Sequence, residues 1–191
     1  MAIQKHTVHP LQALARFATD LDPKTFEDRF GRAFFIVDEA VRRGRSLPSA
    51  TASGPASPSP VTEDLRLVAV PIVRRADSLN EFITVGRLDG NDICMNDSSV
   101  SKYHAMIFLR DDEVFILDSG SHNGTFVNGE EVPRRGMGAP VKLCSGQVVT
   151  FASLVTSFMT GAGVIQFARK IAERRAGLAA DAAVRGRAPK R

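Results

Sequence analysis

Residues 85–129 of the chain read VGRLDGNDICMNDSSVSKYHAMIFLRDDEVFILDSGSHNGTFVNG. Short apolar runs such as HAMIFL and EVFILD alternate in this segment with turn dipeptides of the Asp-Gly and Asn-Gly type. Similar runs continue on both sides, with EFITVG overlapping its start and PVKL, QVVTF and LVTSFM following its end. Many short strands separated by such turns predict an antiparallel β-sandwich or barrel.

Polar clusters fall on the predicted turns of this segment. Gly86-Arg87 ends the strand EFITVG, where a planar guanidinium can point outward at an anion. Further hydroxyl, amide and cationic groups follow in Ser101-Lys102, in the turn from Ser121 to Thr125, and at Asn128-Gly129. Together these groups predict an anion-binding surface on the turns at one end of the sandwich.

Each cluster alone also has a structural explanation. An arginine after a glycine is usually a surface ion-pair partner, and an Asn-Gly pair alone implies only a type I′ turn. His104, which precedes an apolar run, is more often a structural histidine than a ligand. A catalytic triad of Ser101, His104 and Asp118 is conceivable, but nothing in the sequence supplies an oxyanion hole. We therefore expect a binding protein rather than an enzyme.

No cofactor or metal site is expected. The chain has no Gly-x-x-x-x-Gly-Lys loop and no Gly-x-Ser-x-Gly elbow. The histidines His104 and His122 and the cysteines Cys94 and Cys144 do not follow the spacing of a zinc site.

Taken together, the clusters resemble the forkhead-associated (FHA) domain family over about residues 62–160. Five ordered motifs carry the resemblance: Gly86-Arg87, Asn91-Asp92-Ile93, Val100-Ser101-x-x-His104-Ala105, Asp118-x-x-Ser121-x-Asn123-Gly124-Thr125 and Val127-Asn128-Gly129. The resemblance implies a mainly β fold, a sandwich of about eleven strands whose apical loops bind phosphothreonine in a partner peptide. Two residues depart from the family pattern, because Gln147 replaces an acid and Ala152 replaces a common glycine.

The resemblance also implies roles for individual residues. Arg87 and Ser101 would hold the phosphate, Asn123 would bond the peptide backbone, and Lys102 would add a further contact. Asn128 would make a minor or structural contribution. The support of the binding loops would come from Gly86, His104, Gly124 and Thr125. His122 adds a titratable group beside the proposed phosphate, and we hypothesise that its protonation below about pH 6.5 tightens binding.

The regions outside the sandwich differ in composition. Residues 1–45 are predicted to be a helical N-terminal extension, with Asp22-Pro23 as a helix start and an apolar stripe running from Phe26 to Val41. Residues 46–64 are a Pro/Ser-rich linker, and residues 65–160 form the sandwich. Residues 161–191 are predicted to be a basic C-terminal helix and tail.

The net charge of +4 comes from the C-terminal tail. Residues 166–191 carry 8 Lys/Arg and 2 Asp/Glu, whereas residues 46–165 carry 9 and 13. The sandwich, which also lacks Trp, is therefore not expected to bind nucleic acid. No run reaches the roughly 18 apolar residues of a membrane span, and two cysteines provide no disulfide framework. A reducing, cytoplasmic location is the expectation.

Two functions fit these observations. The first is a phosphothreonine-reading signalling adaptor downstream of a Ser/Thr protein kinase, and the Ala/Arg-rich flanks suit a bacterial one. The second is a phospho-independent scaffold, in which the Phe-rich stripe 26–41 drives self-association or docking. Packing of that stripe on the protein's own sandwich is the simplest expectation. Thr51 or Thr62, once phosphorylated, could also occupy the protein's own site, which is a further hypothesis.

Overall fold

The structure is a computed structural model, and it describes residues 8–38 and 66–185. Within these residues, two β-sheets face one another, and three helices pack on the outer face of one sheet. The helices are α1 (Leu11–Asp20), α2 (Pro23–Phe30) and α3 (Gly161–Arg185). The strands are β1 (His9–Pro10), β2 (Ala33–Asp38), β3 (Leu67–Pro71), β4 (Ile83–Gly86), β5 (Ile93–Cys94), β6 (Ala105–Arg110), β7 (Glu113–Asp118), β8 (Thr125–Val127), β9 (Glu130–Glu131), β10 (Val141–Leu143), β11 (Val148–Phe151) and β12 (Leu154–Thr160).

The strand order confirms the predicted sandwich. The first sheet runs β1-β3-β2-β12-β11-β8-β9, and the second runs β10-β7-β6-β4-β5. Among the described strands, β4 and β5 pair in parallel and the other pairs are antiparallel. Twelve strands are present in the described residues, against about eleven expected, and three of them (β1, β5 and β9) are only two residues long.

Two apolar cores hold the molecule together. The larger core lies between the sheets and includes Phe35, Ile107 and Phe151, which are fully buried. The smaller core lies between the first sheet and the helices, where Phe26 and Phe30 contact one another at a ring-centroid distance of 4.9 Å. Since apolar surface is buried on both faces of the first sheet, its central strand β2 is apolar from Ala33 to Val37.

The prediction of a helix over residues 33–38 is wrong, because these residues form strand β2 in the middle of the first sheet. Alternate side chains of β2 enter different cores: Phe35 lies between the sheets, and Phe34 lies under the helices. A strand that is apolar on both faces shows no polar alternation, so its apolar residues also fit a helical spacing. The sandwich therefore takes in a strand from the segment that was predicted to be an N-terminal extension.

The helix start at Asp22-Pro23 is confirmed. The carboxylate of Asp22 accepts a hydrogen bond of 3.1 Å from the amide of Thr25, and α2 ends at Phe30 before Gly31. The expectation that the Phe-rich stripe packs on the protein's own sandwich is confirmed as well, because Phe26, Phe30 and Phe34 are buried in the smaller core.

The C-terminal helix is confirmed, and it packs along α1. Buried side chains in its described part include Val164, Ile165, Ala168 and Ile171. Arg169 donates a hydrogen bond of 2.8 Å to the carbonyl of Ala18, so it supplies a partner for the C-terminal end of α1. Among the described residues, none of the helices has the length and apolarity to cross a membrane.

Several predictions lie outside the described residues: the helix end at Gly44, the linker over residues 46–64, the threonines Thr51 and Thr62, and the tail after Arg185. The strands on either side of residues 39–65 are neighbours, because Asp38 pairs with Leu67. That segment therefore connects two paired strands of one sheet.

The two departures from the family pattern both lie at turns. The side chain of Gln147 accepts a hydrogen bond of 2.7 Å from the amide of Cys144, so an amide oxygen serves as the acceptor in this turn. Ala152 adopts a φ of 57°, in the left-handed region that glycine occupies more easily.

Candidate functional site

Three loops meet at one end of the sandwich. They are the β4–β5 loop (87–92), the β5–β6 loop (95–104) and the β7–β8 loop (119–124), and we call them the apical loops. They meet because β4 and β7 both run towards this end of the second sheet, and β6 starts from it. The sequence-predicted anion-binding residues on these loops are Arg87, Ser101, Lys102, His122 and Asn123.

Arg87 follows β4 directly and presents the far end of its guanidinium to solvent. Its backbone amide donates a hydrogen bond of 3.0 Å to the carbonyl of Ser101, and its Nε donates one of 3.0 Å to the carbonyl of Val100. Among the described residues, no protein acceptor bonds its Nη1 or Nη2. The side chain is thus oriented by the β5–β6 loop, while its two terminal nitrogens stay available to bind an anion.

Ser101 and His122 join two of the apical loops. The amide of His122 donates a hydrogen bond of 3.0 Å to the hydroxyl oxygen of Ser101. A hydroxyl that accepts one hydrogen bond keeps its own proton for another acceptor. The Ser101 hydroxyl is therefore held in place and can still donate to an anion, while the His122 side chain is exposed.

Asn91 ties the loop that carries Arg87 to the loop that carries Lys102. Its Nδ2 donates hydrogen bonds of 2.9 Å to the carbonyl of Leu88 and 2.8 Å to the carbonyl of Lys102. Asn91 itself is only 1% exposed. Gly86 faces the same junction, where a Cβ would lie 2.9 Å from Nδ2 of Asn91. The side chain of Lys102 is exposed, so its ammonium is free to move towards a bound ligand.

His104 is fully buried and links the β5–β6 loop to the β7–β8 loop. Its Nδ1 accepts a hydrogen bond of 3.0 Å from the amide of Ser101, which places the ring proton on Nε2. Nε2 in turn donates a hydrogen bond of 3.0 Å to the carbonyl of Gly124. Burial lowers the pKa of His104, and the smaller raising effects of the Gly124 carbonyl and the Asp118 carboxylate do not offset it. The imidazole is therefore neutral at pH 7 and fixes both loops.

Asp118 organises the β7–β8 loop from below. Its carboxylate accepts four hydrogen bonds: 2.7 Å from the amide of Gly120, 2.8 Å from the amide and 2.7 Å from the hydroxyl of Ser121, and 2.6 Å from the hydroxyl of Thr125. Burial by itself raises the pKa of Asp118, but the hydrogen bonds from Thr125, Ser121 and Gly120 outweigh it and hold the pKa below its usual range. This buried carboxylate is ionised at pH 7.

The turn after Asp118 closes on itself. The hydroxyl of Ser121 accepts a hydrogen bond of 2.9 Å from the amide of Gly124, whose φ is 78°. The same loop reaches the β5–β6 loop through Asn123, whose Nδ2 donates 3.1 Å to the carbonyl of Ser99. The Ser99 hydroxyl lies 2.7 Å from the hydroxyl of Ser153 in the β11–β12 turn. Asn123 is therefore exposed but anchored on one side.

Asn128 does not lie with the apical residues. It follows the three-residue strand β8, at the opposite end of that strand from Thr125. Its φ of 51° and the φ of 86° at Gly129 fit a type I′ turn, and its Oδ1 accepts 2.9 Å from the amide of Val148. The side chain of Asn128 therefore stabilises this turn by bonding it to β11.

The triad that the sequence left conceivable is not assembled. The ring nitrogens of His104 bond the amide of Ser101 and the carbonyl of Gly124, so neither of them bonds the Ser101 hydroxyl. The carboxylate of Asp118 bonds the β7–β8 loop instead of His104. Ser101 therefore has no general base in this arrangement.

Sequence reasoning assigned no role to Asn91, Ser99 or Ser121 at this end of the molecule, and it considered Asp118 only as a member of the conceivable triad. Asn91, Asp118 and Ser121 belong to motifs that were recognised, and the Asp-x-x-Ser spacing is itself a signal for a side-chain-capped turn. Ser99 gave no signal, because its carbonyl becomes important only once Asn123, 24 positions away, bonds to it.

One family model matches part of this chain, and several known proteins are similar to it. The model of the FHA domain family matches residues 83–152. The glycogen accumulation regulator GarA of Mycobacterium tuberculosis (strain ATCC 25618 / H37Rv) is 27% identical over 154 residues, which cover 75% of this chain and 91% of GarA. The solved FHA domain of the CT664 protein from Chlamydia trachomatis matches with a TM-score of 0.42 and 21% identity, over 66% of this chain and 96% of that one.

A solved structure of EmbR from Mycobacterium tuberculosis, in complex with a low-affinity phosphopeptide, has a TM-score of 0.42 and 20% identity to this chain. The match covers 78% of this chain and 30% of EmbR. The family match spans the strands from β4 to β11, together with all three apical loops. Residues 83–152 of this chain therefore match the model of the FHA domain family.

Proposed function

We propose that this protein is an adaptor that binds phosphothreonine peptides through the apical loops of its FHA domain. In this proposal Arg87 and Ser101 bind the phosphate, and Asn123 bonds the peptide backbone. Lys102 and His122 lie on the same loops and add cationic or polar contacts. Gly86, His104, Gly124 and Thr125 keep the loops in shape, and Asn128 contributes only through its turn.

One observation carries the proposal: the terminal nitrogens of Arg87 and the proton of the Ser101 hydroxyl are both unused within the described protein, at the same end of the sandwich. The carbonyl of Ser101 accepts the amide hydrogen bond of Arg87 at 3.0 Å, so the two residues are held side by side. A hydrogen-bonded loop network that leaves these two donors facing solvent is preorganised for an acceptor-rich ligand.

Phosphothreonine matches these donors in charge and geometry. It carries a charge of about −1.5 to −2 at pH 7 and three acceptor oxygens. Hydrogen bonds to a charged group contribute roughly 1.5–3 kcal/mol each. A guanidinium and a hydroxyl therefore distinguish a phosphorylated from an unphosphorylated threonine by several orders of magnitude in affinity, and no covalent step is needed.

The proposal places the protein downstream of a Ser/Thr protein kinase, which would create the phosphothreonine in the partner. The side chain of His122 is exposed on the β7–β8 loop. We expect its protonation to tighten phosphopeptide binding, and an affinity that stays constant between pH 6 and pH 8 would exclude that contribution.

The phospho-independent scaffold has less support. Its driving feature was the Phe-rich stripe 26–41, and Phe26, Phe30 and Phe34 are each at most 1% exposed within the smaller core. These side chains are occupied by the protein's own packing and offer no surface for self-association.

Isothermal titration calorimetry with an oriented pool of phosphothreonine peptides tests the proposal directly. The same pool without phosphate and a phosphoserine pool serve as ligand controls. We expect heat of binding with the phosphothreonine pool and none with the unphosphorylated pool. Equal binding of both pools, or no binding by a folded protein, would reject the proposed function.

A further inference from the structure

Two exposed apolar side chains lie beside the candidate phosphate site. Among the described residues of the three apical loops, the large apolar side chains that stay exposed are Leu88, at 38%, and Tyr103, at 60%. Leu88 comes directly after Arg87 in the chain, and Tyr103 comes directly after Lys102. Apolar surface is therefore present within one residue of two groups that the proposed function assigns to the ligand.

The buried side chain of Asn91 fixes Leu88 and Tyr103 next to one another. Its Nδ2 donates hydrogen bonds of 2.9 Å to the carbonyl of Leu88 and 2.8 Å to the carbonyl of Lys102. These two oxygens share one nitrogen, so they are at most the sum of the two distances, about 5.7 Å, apart. The carbonyl of Lys102 belongs to the peptide group that joins Lys102 to Tyr103. The backbones of Leu88 and Tyr103 are therefore neighbours across two loops.

Hydrogen bonds on both sides of Tyr103 hold it beside the strand end that carries Arg87. Before it, the carbonyl of Ser101 accepts a hydrogen bond of 3.0 Å from the amide of Arg87. After it, the amide of His104 donates a hydrogen bond of 2.7 Å to the carbonyl of Val85. Consecutive Cα atoms are about 3.8 Å apart, so the Cα atoms of Ser101 and Tyr103 are separated by at most about 7.6 Å.

The contacts along the β5–β6 loop place this pair on the far side of the phosphate donors from Asn123. The carbonyl of Ser99 accepts a hydrogen bond of 3.1 Å from Asn123, and Ser101 follows two residues later. Tyr103 follows after two more residues, beside Leu88. A peptide whose phosphate lies at Ser101 therefore has Asn123 on one side and the apolar pair on the other.

We infer that Leu88 and Tyr103 bind an apolar side chain of the phosphothreonine peptide, one to three residues from the phosphothreonine on the flank away from Asn123. The inference rests on the proposed function. An extended peptide advances about 3.3–3.6 Å per residue, so two residues span about 7 Å, which matches the separation of Ser101 and Tyr103. Covering the exposed ring removes apolar surface from water, and a tyrosine has only two side-chain torsions to immobilise.

The test begins with a pool of nine-residue peptides that have a central phosphothreonine and randomised flanks without Tyr or Trp. The first probe is a peptide that the wild type selects from this pool, and the second is the same peptide with the enriched flanking residue replaced by alanine. Calorimetry measures the affinity of both probes for the wild type, Leu88→Ser, Tyr103→Ser and Leu109→Ser. Leu109 is the matched control, because it is 54% exposed and lies in β6 at the end away from the apical loops.

A second measurement reports on the tyrosine ring itself. The chain has one tyrosine, Tyr103, and no tryptophan, so its intrinsic tyrosine fluorescence comes from this side chain. Quenching by acrylamide measures how much of the ring stays exposed in the complex with each probe. This readout does not depend on a change in affinity.

We expect the wild type and Leu109→Ser to select an apolar residue within three positions of the phosphothreonine, on one flank. Leu88→Ser and Tyr103→Ser lower the affinity for the selected peptide about three- to tenfold, in line with the loss of a partly buried apolar contact. Their affinity for the alanine peptide equals that of the wild type, and thermal unfolding verifies that both variants are folded. The selected peptide protects Tyr103 from acrylamide more strongly than the alanine peptide does.

The outcomes separate this inference from the proposed function. If the pool shows no apolar preference, if both variants bind the selected peptide like the wild type, or if the two probes protect the ring equally, the inference is wrong while phosphothreonine binding stands. If the variants weaken both probes equally, the two side chains act on the phosphate site itself and the inference is again wrong. If no phosphopeptide binds the folded wild type, the proposed function fails and the inference fails with it.

Discussion

The Nε2 of His104 donates a hydrogen bond of 3.0 Å to the carbonyl of Gly124, although the two residues lie 20 positions apart in the chain. The other ring nitrogen accepts from the amide of Ser101. One buried imidazole thereby sets the distance between the loop that carries Ser101 and the loop that carries Asn123. The proposed phosphate and peptide contacts depend on that distance, so changes to buried residues should alter binding as well as stability.

Replacing Arg87 should have the largest effect on phosphopeptide binding. We expect Arg87→Ala to weaken binding by at least about 100-fold, because it removes charge-assisted hydrogen bonds of roughly 1.5–3 kcal/mol each. Arg87→Lys keeps the charge but loses the planar guanidinium and the Nε hydrogen bond to the carbonyl of Val100. Its affinity for the phosphopeptide should therefore lie between those of the wild type and Arg87→Ala. Calorimetry with a phosphothreonine peptide measures both. Arg110→Ala, which removes an exposed arginine at the far end of β6, is the control and should bind like the wild type.

Gly86 and Gly90 provide a matched pair for the geometry of the β4–β5 loop. A Cβ at Gly86 would lie within 3 Å of the Lys102 carbonyl oxygen, whereas a Cβ at Gly90 would meet nothing within 4 Å. We expect Gly86→Ala to lower the free energy of unfolding by about 2 kcal/mol or more and Gly90→Ala to change it by less than about 0.5 kcal/mol. Urea denaturation measures both. Equal effects of the two substitutions would contradict the close approach seen at Gly86.

Asp118 should be essential to the β7–β8 loop. Asp118→Ala leaves two buried hydroxyls and two amides without their acceptor, and we expect it to lower the free energy of unfolding by about 3–5 kcal/mol. Asp118→Asn keeps the shape and one acceptor oxygen, so its effect should be smaller. Chemical denaturation together with phosphopeptide titration checks both effects. If Asp118→Ala unfolds like the wild type, the carboxylate does not organise the loop.

Stability should fall as the pH is lowered from 7 to 5. Burial lowers the pKa of His9 and of His104 in the folded protein, whereas both titrate near pH 6.5 when unfolded. Below about pH 6.5 the unfolded chain binds protons that the folded chain excludes, and this favours unfolding. Denaturation at pH 5, 6 and 7 measures the trend. A free energy of unfolding that rises towards pH 5 would contradict the buried neutral state of the two histidines.

The left-handed backbone at Ala152 predicts a stabilising substitution. Ala152→Gly relieves a φ of 57° that costs alanine roughly 1 kcal/mol, so we expect a gain of about 0.5–1 kcal/mol. Ala172→Gly, at an exposed position inside α3, is the control and should lose about 1 kcal/mol. Thermal unfolding of the two variants gives opposite shifts if the backbone conformation is the cause. A loss of stability in both would mean that the turn does not strain Ala152.

Local signals made part of the fold and of the candidate site predictable. Turn chemistry at pairs such as Asn128-Gly129 depends on the residues themselves, and the φ values of 51° and 86° match it. The N-cap at Asp22 is equally local, since its partner Thr25 is three positions away. The apolar runs predicted strands for the same reason, and the arginine after β4 could be placed at a strand end before any contact was known.

What the sequence alone determined about this protein is its strands from β4 to β12 except the two-residue β9, the turns between them, and the group of polar residues that those turns carry. The tertiary structure alone decided that residues 33–38 are a strand. Both faces of this strand are buried in apolar cores, so its sequence lacks the alternation of polar and apolar residues that marks a strand. The tertiary structure also decided the roles of His104, Asn91 and Asn128. Each role depends on a partner between 3 and 20 positions away, and the partner's direction is set only when the sheets pack.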